Sequence, residues 1–324
     1  MKIISKTSSF LLVAVLFLGF TACSDDDDNI TGNPVGGNTA FDLAQSDPNF
    51  SILVEALERT NLDAVLDGPG QFTVFAPDND AFAAFLQNNN LNSLDDVPND
   101  LLTNVLLNHV VGGVALSTDL STGYINTSAV DANGNNLNMY VSTQGGVTLN
   151  GDAQVVAADL SVDNGVVHAV DEVIGLPTLV TFAVADPNFS SLTAAVVQEN
   201  LAGLLSSNDP NNDASPFTVF APTNMAFDAL VTELGANDIN DILANPNLAT
   251  ILQYHVVTDA AVRSTDLSDG FVVTPAAGGT FTINLSGSGA SITDANARTS
   301  NIIAVDVTAI NGVIHAIDTV ILPQ

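Results

Sequence analysis

Six mostly apolar residues, Phe72-Thr73-Val74-Phe75-Ala76-Pro77, run directly into three polar residues, Asp78-Asn79-Asp80, and then into Ala81 and Phe82. The run returns 145 residues later as Phe217-Thr218-Val219-Phe220-Ala221-Pro222, followed by Thr223, Asn224, Ala226 and Phe227. Such a pattern predicts a buried strand, a proline corner and the first turn of a capped helix. Other segments repeat with it. Asp47-Pro48 and Asp186-Pro187 read as helix starts, the carboxylate capping free amides and proline taking the first helical position. Behind them lie helical stripes, Phe50, Leu53, Val54 and Leu57 in one half and Phe189, Leu192 and Val196 in the other.

Past the opening motif, Phe82, Phe85 and Leu86 form a short helical stripe that stops at Asn88. Phe227, Leu230, Val231 and Leu234 match it, with Gly235 as the expected C-cap. A further helix carries Leu102, Val105, Leu106 and His109, or Leu248, Ile251, Leu252 and His255. Alternating segments such as Val147-Thr148-Leu149 and Phe281-Thr282-Ile283 then predict strands and hairpins. Each half closes on a strand that begins with Asn-Gly, at Asn164-Gly165 and at Asn311-Gly312, a strong turn signal. A longer polar loop from Ser206 to Ser215 accounts for the extra length of the second half.

Length agrees with this division, since 324 residues make about two ordinary domains. At 46% hydrophobic residues there is enough apolar material for two cores. Charge narrows the partners. Lys and Arg number 5 against 36 Asp and Glu, which argues against nucleic acid and against adsorption to a bare anionic membrane. An acidic surface of this kind keeps a protein soluble by self-repulsion, and weak calcium binding is the alternative use of it.

The N-terminus reads as an address. Lys2 and Lys6 precede an apolar run from Phe10 to Phe20, too short for a membrane-spanning helix, and the run ends beside Cys23, the only cysteine. This arrangement resembles the lipobox of bacterial lipoproteins, which implies lipidation of Cys23 and a lipid-anchored mature chain. Asp25 to Asp28 follow immediately and resemble the surface-export signal of Bacteroidota lipoproteins, implying an outer-membrane, outward-facing location. The expected organisation is a signal peptide over 1–22, an acidic flexible tether over 23–38, and domains over 39–177 and 178–324.

Taken together, the opening motif, the closing Asn-Gly-x-x-His strand and the element between them resemble the fasciclin (FAS1) domain. The second half matches the opening signature throughout, while the first carries Asp78 in place of Thr. The closing signature stands at 164–171 and 311–318, and the intervening Tyr-His element is Tyr254-His255 in one half and Asn108-His109 in the other. The resemblance implies an α+β fold: two tandem domains, each a β-sandwich-like wedge with helices packed at one side. It makes Thr73, Asp78, Asn79, His168, Thr218, Thr223, Asn224 and His315 structural signature residues. Asp78 and Thr223 are expected to cap the helix, and Asn79 and Asn224 to cross-link the corner, reaching the histidine of the closing strand. In animal members the Tyr-His element and a nearby Asp-Ile pair are implicated in integrin binding. Candidate recognition residues are therefore Tyr254, His255, Asn108, His109, Asp171 and Asp318, although Asp171-Glu172 and Asp318-Thr319 do not reproduce the Asp-Ile pair. An integrin mechanism does not carry over.

Catalytic chemistry finds no motif. There is no Gly-x-Ser-x-Gly elbow, no second cysteine and no His-Glu-x-x-His helix. The four histidines could be buried and hydrogen-bonded, metal ligands, or recognition residues; their place on apolar stripes favours the first. Asp131-Ala132-Asn133-Gly134-Asn135 begins like a calcium loop but lacks its Gly at position six and Glu at position twelve, so it reads as a hairpin turn. The sequence thus predicts no enzyme, cofactor or metal. It predicts an adhesion module for an extracellular protein, matrix or polysaccharide, with a calcium-dependent assembly protein as alternative and a polymer hydrolase behind it.

Overall fold

Thr39 opens the first half by accepting a bond from the Asp42 amide while Asp42 bonds back to the Thr39 amide. This capping box starts α1 (Ala40–Ser46). The computed structural model describes residues 37–207, 215–287 and 289–324. The leader, Cys23, the acidic run and residues 208–214 of the polar loop lie outside the described residues. Asp47 accepts from the Asn49 amide and caps a single 3-10 turn, as its Asp-Pro pair predicts. Beyond it α2 (Ser51–Thr60) buries Leu53 and Leu57 and ends at Asn61, in the left-handed conformation. Then come α3 (Asp63–Leu66), β1 (Phe72–Pro77), α4 (Asn79–Asn88), α5 (Asn99–Asn108) and β2 (Val110–Gly112). The half finishes with β3 (Gly123–Val130), β4 (Asn136–Ser142), β5 (Thr148–Leu149), β6 (Ala153–Val162) and β7 (Gly165–Val170).

The second half repeats the plan. It runs α6 (Leu179–Ala185), α7 (Ser190–Gln198), α8 (Ala202–Leu205), β8 (Phe217–Pro222) and α9 (Asn224–Leu234). Gly235 caps α9 in the left-handed conformation at φ 63°. There follow α10 (Ile239–Leu243), where the first half has a 3-10 turn, then α11 (Leu248–Tyr254) and β9 (Val256–Val257). The last strands are β10 (Phe271–Val273), β11 (Phe281–Ser286), β12 (Gly289–Thr293), β13 (Thr299–Ala309) and β14 (Gly312–Ile317).

Each half folds around one seven-stranded sheet, in the order β2-β1-β7-β6-β5-β4-β3 and β10-β11-β12-β13-β14-β8-β9. The opening motif and the closing strand, far apart in sequence, are therefore neighbours. They pair in parallel, Phe72 opposite Gly165 through Pro77 opposite Val170, and Phe217 opposite Gly312 in the second half. Covered on both faces, these strands need apolar residues at nearly every position, which explains their unbroken runs. The pairing also explains one glycine. A Cβ on Gly165, whose φ is +144°, would lie 1.9 Å from the Phe72 carbonyl oxygen.

Apolar residues gather on both sides of each sheet. In the first half Phe50, Leu57, Phe82 and Leu102 fill the space between helices and sheet. Phe75, Met139, Val141, Leu149 and Val170 fill the other side, where the sheet curls over itself. The two-sided core is the physical content of the expected sandwich-like wedge. Asp131 accepts from the Asn133 and Asn135 amides within the β3–β4 turn, so this segment is the predicted hairpin.

Gly37–Gln324 forms one compact unit. Tyr124 packs edge-on against Phe182, and its hydroxyl donates to Asp186 at 3.1 Å. The Thr308 amide donates to the Asn138 side chain at 2.7 Å, and the Ile310 amide to the Pro177 carbonyl at 2.8 Å. Gly151 approaches so closely that an added Cβ would meet the Ala185 Cβ at 3.2 Å. The halves abut without a free linker.

Candidate functional site

Polar residues of the opening motif gather at the strand–helix corner. Asp78 accepts from the Ala81 amide at 2.8 Å and caps α4. Thr223 occupies the same N-cap position of α9, but its side chain makes no cap bond, which corrects the expected symmetry. The reason is local: the Ala226 amide turns instead to the Thr223 backbone carbonyl, at 2.9 Å. Asn79 does cross-link, though to α2 and not to a histidine. It accepts from the Ile52 amide at 3.0 Å and donates to the Pro48 carbonyl at 2.9 Å. Asn224 repeats this with the Ser191 amide and the Pro187 carbonyl. Each asparagine thereby stitches the start of one helix to the start of another. Thr73 and Thr218 likewise donate to loop carbonyls, of Gly113 and Ala260.

All four histidines are buried and spent on backbone groups. His109 donates from Nδ1 to the Val105 carbonyl at 2.7 Å and accepts at Nε2 from the Ile174 amide at 2.9 Å. His255 does the same with Ile251 and Ile321. Since an amide can only donate, Nε2 must lack a proton, and both rings are neutral. Burial holds His109 and His255 down to about 4. His168 and His315 use the opposite tautomer. Nδ1 accepts from the Asp159 or Asp306 amide, and Nε2 donates to the Ala115 or Val262 carbonyl. Burial also lowers His315. Among the described residues no three His, Cys, Asp or Glu side chains come together in a way that could hold a metal.

The recognition residues need correction. Tyr254, His255, Asn108 and His109 are all buried and present no surface to a partner. Tyr254 sends its hydroxyl to the Thr280 carbonyl at 2.7 Å. Asn108, in the same position, donates to the Ile174 and Gly175 carbonyls and accepts from Thr127. Tyrosine and asparagine thus solve one problem in two ways: each ties the end of a helix to a segment later in the chain. A helical apolar stripe predicts this burial for the histidines; the residue before each lies just off the stripe and gave no such signal. Asp171 and Asp318 reach solvent, yet each closes a hairpin end, accepting from the Gln154 and Asn301 amides.

One pair of structural residues had no sequence signal beyond its turn. Asn164 accepts from the Ala40 amide at 2.9 Å and donates to the Leu66 and Gly68 carbonyls. Asn311 repeats the set with Leu179, Leu205 and Ser207. Apart from the Thr223 hydroxyl, every polar signature group so far serves the fold that carries it.

Residues 48–177 and 187–323 each match the family described as the Fasciclin domain. The chain belongs to the fasciclin domain family. Transforming growth factor-beta-induced protein ig-h3 of Sus scrofa is 32% identical over 262 residues, 80% of this chain and 36% of that protein. Periostin of Homo sapiens is 30% identical over 271 residues, 82% of this chain and 30% of that protein. The chain spans about a third of the length of these relatives. Protein sll1483 of Synechocystis sp. is 36% identical over 136 residues, 42% of this chain and 72% of that protein. A solved FAS1 domain pair from the insect cell adhesion molecule fasciclin I covers 87% of this chain and 95% of its own, with a TM-score of 0.47 and 21% identity.

The two fasciclin domains differ in the cavities they hold. Under α6 and α7 of the second domain lies an apolar cavity of 60 Å³, against 20 Å³ at the same place in the first. Val180 and Val196 stand there in place of Phe41 and Leu57, and the smaller side chains leave the space. A polar cleft of 160 Å³ lies where the β5–β6 turn of the first domain faces the segment after β7.

Proposed function

We propose that the chain is a non-catalytic adhesion module in which two fasciclin domains bind an extracellular protein, matrix or polysaccharide. The match of both halves to the fasciclin domain carries this reading. It is supported by the internal use of the signature polar groups: the histidines, Asn79, Asn224, Asn164 and Asn311 bond backbone of their own domain, so no reacting group is left in these motifs. Binding then falls to exposed, non-signature surface. The net charge, three Arg against 36 acids once residues 1–22 are removed, favours a partner that is neutral or basic. On this reading the module is held at the outer membrane through a lipid on Cys23, with 23–38 as its tether.

Labelled protein spanning residues 37–324 should adhere to cells, matrix protein or polysaccharide, measured with and without calcium. Loss of the gene should weaken aggregation or biofilm. Absence of adhesion across a panel of such surfaces contradicts the proposal.

A further inference from the structure

Where the two domains meet, a cleft of 310 Å³ opens between Tyr124 of the first and a wall of the second in which Phe189, Met225 and Ile303 take part. Junctions between domains are a preferred place for ligands, and this volume lies in the range of small-ligand pockets. The cleft is continuous with the junction itself, because Tyr124 lines the one and, through its bond to Asp186, closes the other. Met225 is 79% exposed and Ile303 56%, so two large apolar side chains stand open to solvent in one cleft.

The second domain has cleared this place of charge. At the two positions where it carries Thr223 and Met225, the first domain carries Asp78 and Asp80. One carboxylate remains in the lining, that of Asp186. It is only 5% exposed and already accepts from the Tyr124 hydroxyl and from the amide and side chain of Asn188. Asn224 is spent on the Ser191 amide and the Pro187 carbonyl. Two polar side-chain groups are left. The Thr223 hydroxyl has no partner among the described residues. The Asn188 side chain turns its nitrogen to Asp186, which can only accept, and so keeps its oxygen free.

These contents select the occupant. A charged group would lose its water against apolar walls that offer no counter-charge. A sugar ring brings more hydroxyls than two groups can satisfy, and each one buried without a partner is costly. A peptide unit with a large apolar side chain fits both requirements. We propose that the cleft takes a large apolar side chain, such as phenylalanine, from a partner protein. The side chain packs on Tyr124, Met225 and Ile303, while its peptide N–H donates to the Asn188 oxygen and its carbonyl accepts from the Thr223 hydroxyl. A few buried anchors of this kind carry most of the energy of a protein interface, and methionine adapts its shape to them. The inference rests on the adhesion reading above and narrows it to a protein partner with a neutral, apolar anchor.

Residues 37–324 contain two methionines, Met225 in the cleft and Met139 fully buried elsewhere. Carbon-13 in their methyl groups therefore gives one NMR signal at the site and one internal reference. N-acetylphenylalaninamide should move the Met225 signal saturably and leave that of Met139 in place, whereas N-acetylasparaginamide and glucose should move neither. Thr223→Asp, which installs the residue of the first domain, should weaken binding of the phenylalanine probe at least tenfold with the Met139 signal unmoved. Adhesion to protein surfaces should fall to a similar degree in Met225→Asp. A response to glucose equal to that of the phenylalanine probe, no saturable response, or unchanged affinity in Thr223→Asp overturns the proposal. So does a Met225 signal that moves with protein concentration alone, which assigns the cleft to a second copy of the chain. Adhesion undiminished in Met225→Asp overturns this inference and leaves the adhesion reading standing. Binding of the phenylalanine probe by a protein that adheres to no surface does the reverse.

Discussion

Lowering the pH from 7 towards 4 should destabilise both domains through buried imidazoles, His109 in the first and chiefly His255, with a contribution from His315, in the second. His109 and His255 are 2% exposed, and each accepts an amide bond at Nε2, so adding a proton breaks that bond and buries a charge. In the folded chain both are held down to about 4, against 6.5 when unfolded. A base whose folded value is depressed leaves the unfolded state holding more protons in between. Stability is therefore intact above pH 6.5 and is lost as pH falls through the window from 6.5 to 4. The gap corresponds to about 3 kcal/mol per histidine, at a slope of about 1.4 kcal/mol per pH unit while one proton separates the states. Above pH 5 ordinary carboxylates hardly titrate, so the histidines dominate there. Urea unfolding of residues 37–324, followed by circular dichroism at pH 7, 6 and 5, reads the slope. NMR reads the rings directly: their C–H resonances in the folded protein should stay constant down to pH 5. A stability that is flat from pH 7 to 5, or rings that titrate near 6.5 while the protein is folded, refutes the argument.

Three substitutions probe the frame elsewhere. Gly165→Ala places a Cβ 1.9 Å from the Phe72 carbonyl in the central parallel pair, and thermal melting should show a loss of about 4 kcal/mol. Asn311→Ala strips partners from the Leu179 amide and the Leu205 carbonyl and should cost about 3 kcal/mol in urea unfolding. Val196→Leu restores the residue that the first domain has as Leu57 and adds a methylene to the 60 Å³ cavity. It should stabilise the second domain by up to about 0.8 kcal/mol, and a lower melting temperature would show that the cavity cannot accept the group.

Local features were legible in the chain because their causes are local. Asp47 before Pro48, the stripe of Leu53 and Leu57, Gly235 after Leu234 and the Asn-Gly turns all declare their elements through neighbouring residues. The parallel pairing of β1 with β7 was not legible, because Phe72 and Gly165 meet only after the whole sheet has been laid between them. Nor could spacing reveal that Asn79 faces the start of α2, or that Asn138 meets the Thr308 amide across the domain junction. The same limit applies to the candidate site. Tyr254-His255 was prominent as a sequence element, but prominence does not separate a residue that recognises a partner from one that holds a helix end; the burial of Tyr254 does. The cleft at Asn150 was invisible, since it forms where segments remote in sequence, 149–153 and 172–176, face each other.

On the function proposed above, the signature elements build the fold and adhesion belongs to other surfaces. Tyr254→Phe tests it most directly, because the ring stays buried and only the hydroxyl bond to the Thr280 carbonyl is lost. Adhesion of this variant should equal that of the unaltered protein on every surface bound, with melting lowered by about 1 kcal/mol of stability. Loss of adhesion by a variant that melts like the unaltered protein would contradict the claim and return the Tyr-His element to the binding site.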